Sequence, residues 1–149
     1  MKVARTWIVV ADGARARLFE NCGPGMGLAP LSDGEMQGSH SATQEVGSDR
    51  PGRVHDRVGP GRHAMAPRVD WHEQQKQDFL KALAARLDRA AAQKAFDRLI
   101  LVAPAKALGE LRAALGQATA GQVAGELPKD LTKVPTQDLP SHLDDLIAL

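Results

Sequence analysis

The sequence predicts a single α/β domain in which helices pack on a mixed β-sheet. Three observations lead to this fold class: a β-hairpin pattern near the amino terminus, a long amphipathic helix in the middle of the chain, and a buried strand followed by another helix. A length of 149 residues is typical of one domain. We see no internal repeat, so residues 1–149 are expected to fold as one unit.

The amino-terminal hairpin is the clearest local signal. Residues 5–11 are apolar and β-branched, and they end at an Asp-Gly dipeptide at 12–13, which is typical of a tight hairpin turn. Residues 14–20 alternate small or apolar side chains with charged ones, as a strand with one solvated face does. Residues 26–32 are a candidate third strand, and Pro30 restricts this strand to an edge of the sheet.

The middle helix is expected to begin at Asp70, a candidate N-cap with Glu73 at the capping-box position. Apolar side chains then recur at helical spacing to about Gln93, which predicts one long amphipathic helix. The members of this stripe are Phe79, Leu80, Leu83, Leu87, Ala90 and Ala91.

The run Leu99–Ala103 predicts a central strand that is buried on both faces. Pro104 marks the start of a helix over residues 106–116, which ends at a glycine. Residues 121–127 predict a weaker last strand, and apolar residues between 139 and 147 predict a short carboxyl-terminal helix.

Between these elements, residues 34–67 show no apolar periodicity, and we expect a long mobile loop there. Segment 50–68 holds five arginines against Asp56, a net charge of +4, and residues 3–75 contain no lysine. Guanidinium groups suit bidentate contacts with phosphate, and glycine backbone can approach a phosphate closely. The candidate binding residues are therefore Arg50, Arg53, Arg57, Gly59, Gly61, Arg62 and His63.

Composition provides little further evidence about function. The whole-chain net charge of +1 provides no general attraction to nucleic acid or membranes, although residues from 124 onward carry a net charge of −3. Three Phe, two Trp and no Tyr leave few rings for stacking on bases. Cys22 is the sole cysteine, no export signal is apparent, and the apolar run 7–11 is too short to span a membrane. We therefore expect a cytoplasmic protein without membrane insertion.

No catalytic residue, metal site or cofactor is predicted. Asp12 ends a strand, where some nucleases place a metal-binding carboxylate, but a turn aspartate before glycine is the favoured interpretation. The histidines at 40, 55, 63 and 72 lack the short spacings of zinc ligands. Neither Ser39 nor Cys22 lies in the strained-turn context of a known nucleophile.

Several stretches together resemble the bacterial family named "protein required for attachment to host cells". They are WIVVADGARARLFE (7–20), DRPGRVHD (49–56), GPGRHAMAP (59–67), FLKALAARLDRAA (79–91), FDRLILVAPAKALGELRAALG (96–116) and GELPKDLTKVP (125–135). The resemblance implies a fold similar to the middle domain of archaeal and eukaryotic peptide-chain release factors. In those proteins a Gly-Gly-Gln loop precedes a long helix. Here the corresponding position holds Gly59-Pro60-Gly61-Arg62 without the glutamine, so peptide release is not expected.

These observations favour a non-catalytic binding protein that contacts RNA or the translation machinery through the Arg/Gly-rich loop. One alternative is a hydrolase of a phosphoester or a peptidyl-tRNA, with Arg62 and His63 as phosphate clamp and general acid–base. Another is a protein-interaction domain involved in host attachment, which would use the acidic carboxyl-terminal helix. The family name itself implies a role in adhesion to a host.

Overall fold

The computed structural model describes residues 4–38 and 71–149, and this part of the chain forms one five-stranded sheet. The strands lie in the order β3-β2-β1-β4-β5, and β1 pairs antiparallel with β2 and parallel with β4. The sheet is therefore mixed, as predicted. The strands are β1 (Thr6–Ala11), β2 (Arg15–Asn21), β3 (Ala29–Gln37), β4 (Arg98–Val102) and β5 (Val123–Leu127).

Helices and a carboxyl-terminal segment cover the two faces of the sheet. The helices are α1 (Trp71–Ala92), α2 (Ala105–Ala114), α3 (Gln117–Ala120) and α4 (Leu139–Leu143), with a 3₁₀ turn at Thr136–Asp138. Leucines of α1 and α2 pack on one face. The segment after β5 covers the other face through Leu131, Leu139, Leu143 and Ile147. The predicted α/β class with helices packed on the sheet is confirmed.

The predicted hairpin is confirmed. The turn closes where the backbone N–H of Asp12 donates to the carbonyl oxygen of Arg15 at 3.0 Å. Ala11 lies opposite Ala16 in the ladder. All six residues of β1 are buried, because strands lie on both sides of it and packed layers cover both of its faces.

The third strand lies at the edge that Pro30 predicted, but it is longer than residues 26–32. It continues to Gln37, so the start of the loop predicted at residue 34 is wrong. Arg17 of β2 pairs with Glu35 of β3, but Phe19, only two residues further along β2, pairs with Pro30. The extra residues of β3 between these two pairs form a bulge. A Cβ at Gly34 would lie 2.7 Å from the carbonyl oxygen of Leu18, so this close backbone approach requires glycine.

The run around Leu101 forms β4, which is buried on both faces as predicted. The middle position of the sheet, however, belongs to β1, and β4 lies next to the edge strand β5. Leu83 and Leu87 belong to the same core cluster as Leu99 and Leu101, so the apolar stripe of the long helix faces the sheet. The proposed N-cap Asp70 lies outside the described residues.

The turn that follows helix α1 contains a residue with unfavourable backbone geometry. Lys94 has a φ of 59°, in the left-handed region that favours glycine. Its N–H donates to the carbonyl of Ala91, and that of Ala95 donates to Ala90, as in glycine-terminated helices. We expect Lys94→Gly to raise the free energy of unfolding by about 0.5–1 kcal/mol, because relief of the strain exceeds the entropy that glycine adds to the unfolded chain.

Urea denaturation would measure this change. Lys94→Ala is the matched control, since it removes the same side chain but keeps the strained φ, and its stability should stay near that of the wild type. A glycine variant less stable than the alanine variant would contradict the assigned strain.

Candidate functional site

The carboxyl ends of the parallel strands β1 and β4 lie side by side at one edge of the sheet, which we call the strand-end edge. Val10 of β1 is in register with Val102 of β4. From here the chain leaves β1 toward β2 and leaves β4 toward β5, in opposite directions along the sheet. In open α/β sheets, ligands usually bind where neighbouring strands diverge in this way.

A cleft of about 310 Å³ opens at this edge between the hairpin turn, α1 and α2. Its floor is apolar and includes Leu80, which is 1% exposed. Its wall carries two lysines and three carboxylates, so it presents hydrogen-bonding groups of both charges. The strand-end cleft is lined by Asp12, Gly13, Ala14, Glu73, Lys76, Leu80, Pro104, Lys106, Ala107 and Glu110.

Asp12 stabilises the hairpin turn. Its Oδ1 accepts hydrogen bonds from the backbone N–H groups of Ala14 at 2.7 Å and Arg15 at 2.9 Å. The hydroxyl of Thr132 lies 3.4 Å from its Oδ2. Within residues 4–38 and 71–149, no three His, Cys, Asp or Glu side chains converge as a metal site would require. The geometry therefore supports the interpretation of Asp12 as a turn residue.

Asp130 is the second carboxylate bound to Thr132. Its Oδ1 accepts hydrogen bonds from the hydroxyl of Thr132 at 2.6 Å and from the backbone N–H of the same residue at 3.0 Å. The hydroxyl bond is the largest influence on the pKa of Asp130 and lowers it below its ordinary value, while burial opposes the shift. Asp130 is therefore a carboxylate at neutral pH and not a proton donor.

Two contacts fix the polar wall of the cleft. Lys106 of α2 forms an ion pair with Glu73 of α1 at 2.8 Å, which joins the two helices. The side-chain methylenes of Lys76 lie against Gly13, where a Cβ would be 2.6 Å from Cγ of the lysine. Gly13 is thus required for the close approach of α1 to the turn.

The described residues that flank the segment 39–70 also lie at the strand-end edge. The backbone N–H of Gly38, the last described residue before that segment, donates to the carbonyl of Ala14 at 2.6 Å. On the other side, Glu73 and Lys76 in the first turns of α1 line the cleft. The described residues before and after 39–70 therefore lie beside the same turn.

The predicted binding residues themselves lie outside the described residues, as do Ser39 and the histidines at 40, 55 and 63. His72 lies in the first turn of α1 and is exposed, and Cys22 is exposed after the end of β2. The sequence interpretation missed Lys76 and Lys106 at the cleft. The position of Lys106 in the first turn of a helix that follows a buried strand was an available signal, because such turns meet at the carboxyl edge of a sheet.

Comparison with known proteins identifies the family of this chain. A family model described as "Protein required for attachment to host cells" matches residues 7–143. The chain belongs to the host-attachment family. This match covers the hairpin, the sheet, the long helix and most of the carboxyl-terminal segment, so the resemblance seen in the sequence is confirmed.

Solved structures match at low sequence identity. One described as an archaeal protein has a TM-score of 0.51 and 16% identity, over 97% of this chain and 35% of that chain. The crystal structure of the archaeal translation termination factor aRF1 has a TM-score of 0.48 and 15% identity, over 82% of this chain and 29% of that chain. The chain of the host-attachment family thus spans about a third of the length of these solved chains, and the archaeal-protein match shows a shared fold alone. No curated protein matches the chain.

Within the described residues, no helix combines the length and the apolar character needed to cross a lipid bilayer. The longest of these helices, α1, has 22 residues and carries charged side chains along its length.

Proposed function

We propose that this host-attachment family chain is a non-catalytic, cytoplasmic binding protein whose segment 50–68 contacts RNA through its phosphates. The observation that carries the proposal is the clustering of Arg50, Arg53, Arg57, Arg62 and Arg68 against a single acid, Asp56. Each guanidinium offers a planar fork of donors that matches two phosphate oxygens.

The described residues on either side of 39–70 support this function. Gly38 and the first turns of α1 lie beside the Asp12 turn, which continues directly from the fully buried strand β1. Gly59 and Gly61 give the backbone the freedom to follow a curved anionic surface.

Salt dependence tests the proposal. Affinity for RNA should fall steeply with salt, because cations are released from each phosphate that an arginine neutralises. Arg53→Ala combined with Arg62→Ala should flatten the slope of log affinity against log salt by about one to two units. Fluorescence-anisotropy titration of labelled RNA over a salt series measures both quantities.

The matched control removes two arginines at the opposite end of the sheet. Arg89 and Arg98 are exposed, and they lie near the end of α1 and at the start of β4. Arg89→Ala combined with Arg98→Ala changes the net charge equally but should leave the slope unchanged. An equal effect of the two double variants would mean that net charge alone attracts RNA. A wild type that binds no RNA even at low salt would refute the proposal.

A further inference from the structure

The two helices that border the strand-end cleft run in the same direction. Glu73 near the start of α1 pairs with Lys106 in the first turn of α2 at 2.8 Å. Toward the other end, Asp88 of α1 accepts a hydrogen bond at 2.9 Å from the backbone N–H of Gly116, just after α2. Side chains one turn beyond the ion pair on each helix therefore face the same cleft.

These next positions hold one cation and one anion. Lys76 follows Glu73 by three residues, Glu110 follows Lys106 by four, and both line the cleft. Among the described residues, neither Lys76 nor Glu110 has an ion-pair partner. The methylenes of the lysine pack against Gly13, which holds the first part of this side chain at the hairpin turn. The cleft therefore presents a positive and a negative group that are not paired with each other.

The other charged groups of the cleft are engaged within the protein. Lys106 and Glu73 bind each other. The carboxylate of Asp12 accepts two backbone hydrogen bonds in the hairpin turn. Lys76 and Glu110 are thus the charges of this cleft that remain for a ligand.

The apolar floor of the cleft continues along the seam between the helices. Leu80 and Glu110 also line a second cavity of about 250 Å³, where Ala113 and Ala114 supply apolar surface and Lys81 lies at the exposed side. The strand-end cleft, at about 310 Å³, is at the lower limit of cavities that bind small molecules, which span about 300–1,000 Å³. The space suits a small ligand whose apolar part lies on Leu80.

We infer that the strand-end cleft binds a small zwitterion with an apolar body, namely an apolar amino acid or a short apolar peptide. The ligand's carboxylate meets the ammonium of Lys76, and its ammonium meets the carboxylate of Glu110. A ligand with one charge would displace water from the second group without replacing its hydrogen bonds, which costs affinity. The diverging parallel strands are also where α/β sheets usually bind ligands. This inference does not rest on the proposed contact with RNA.

The test titrates the full chain with L-leucyl-L-leucine and with L-leucine by isothermal titration calorimetry. Acetylation of the dipeptide removes its ammonium and amidation removes its carboxylate, and each should weaken binding about tenfold or more. Glycylglycine should bind about tenfold more weakly or worse, because it lacks apolar side chains. Binding of either the dipeptide or the amino acid supports the inference, and the tighter of the two identifies the source. Capped dipeptides that bind as tightly as the zwitterion, or no binding of either zwitterion at millimolar concentration, would overturn it.

Two variants locate the ligand. Lys76→Met retains methylenes against Gly13 and Glu110→Gln retains the side-chain shape, so both should keep the melting temperature of the wild type. Lys76→Met should weaken the dipeptide about tenfold but leave its amidated form unchanged, and Glu110→Gln should do so relative to the acetylated form. Lys94→Met is the matched control, since it removes an exposed lysine after the far end of α1 and should change no affinity. Wild-type affinity in both cleft variants would place the ligand elsewhere and overturn the inference.

Discussion

Replacement of Leu101 by alanine is expected to lower the free energy of unfolding by about 2–5 kcal/mol. Leu101 is 0% exposed, and its strand lies between β1 and β5. Its side chain belongs to the core cluster that includes Leu83 and Leu87 of α1. The truncation therefore loses buried apolar contacts and leaves a cavity that neighbouring strands and helices hold open. Since typical domains are stable by about 5–15 kcal/mol in total, the loss is a large part of the stability.

Leu31→Ala is the matched control for this experiment. Leu31 lies in the edge strand β3, is partly exposed, and packs only at the margin of the same cluster. Its truncation should cost less than half as much as that of Leu101, because part of the side chain already contacts water. Urea denaturation with a common slope for both variants gives the comparison. A near-neutral Leu101→Ala would contradict the position of β4 inside the sheet.

The elements that could be predicted are those whose sequence pattern lies within a few neighbouring residues. The Asp-Gly dipeptide fixes the first turn, because the turn needs that backbone geometry wherever the hairpin lies. The run Leu99–Ala103 likewise marks a strand that is buried on both faces. Neither pattern contains the order of the strands, so the middle position of β1 could not be read from them.

The extension of β3 to Gln37 escaped prediction for a different reason. Residues 32–35 are polar or glycine and resemble a loop, and their strand conformation comes from pairing with β2 around the bulge. Short elements such as α3 at Gln117–Ala120 also lack a periodic signal of sufficient length. In both cases the structure depends on tertiary contacts that one sequence does not show.

The candidate site was only partly accessible to sequence reasoning. The arginine cluster is a local feature and was visible, although its residues lie outside the described part of the chain. The strand-end cleft, in contrast, unites Gly13, Lys76 and Lys106 from three separate elements. Its recognition required knowing that β1 and β4 are parallel neighbours.

Among the side chains that form hydrogen bonds near the strand-end edge, Arg17 is the one whose loss should lower stability most. Its Nη1 donates to the carbonyl oxygens of Val134 at 2.6 Å and Thr132 at 3.3 Å. The carbonyl oxygen of Leu131 lies 3.5 Å from the same nitrogen, a long distance for a hydrogen bond. Its Nη2 donates to the hydroxyl of Thr136 at 2.9 Å. The side chain of Arg17 thus holds the segment after β5, which includes Leu131, against the face of the sheet opposite α1 and α2.

Arg17→Ala is therefore expected to lower the free energy of unfolding by about 2–4 kcal/mol, because several partly buried carbonyls lose a charged donor at once. Arg17→Lys should recover less than half of the loss, since an ammonium cannot reproduce the planar fork. Hydrogen exchange should quicken first in the segment after β5. Because Thr132 in this segment also contacts Asp12 and Asp130, the disturbance should reach the hairpin turn, whose Ala14 carbonyl accepts the hydrogen bond from Gly38. Unchanged exchange around Thr132 in the alanine variant would show that apolar packing of Leu131 and Leu139 alone holds this segment in place.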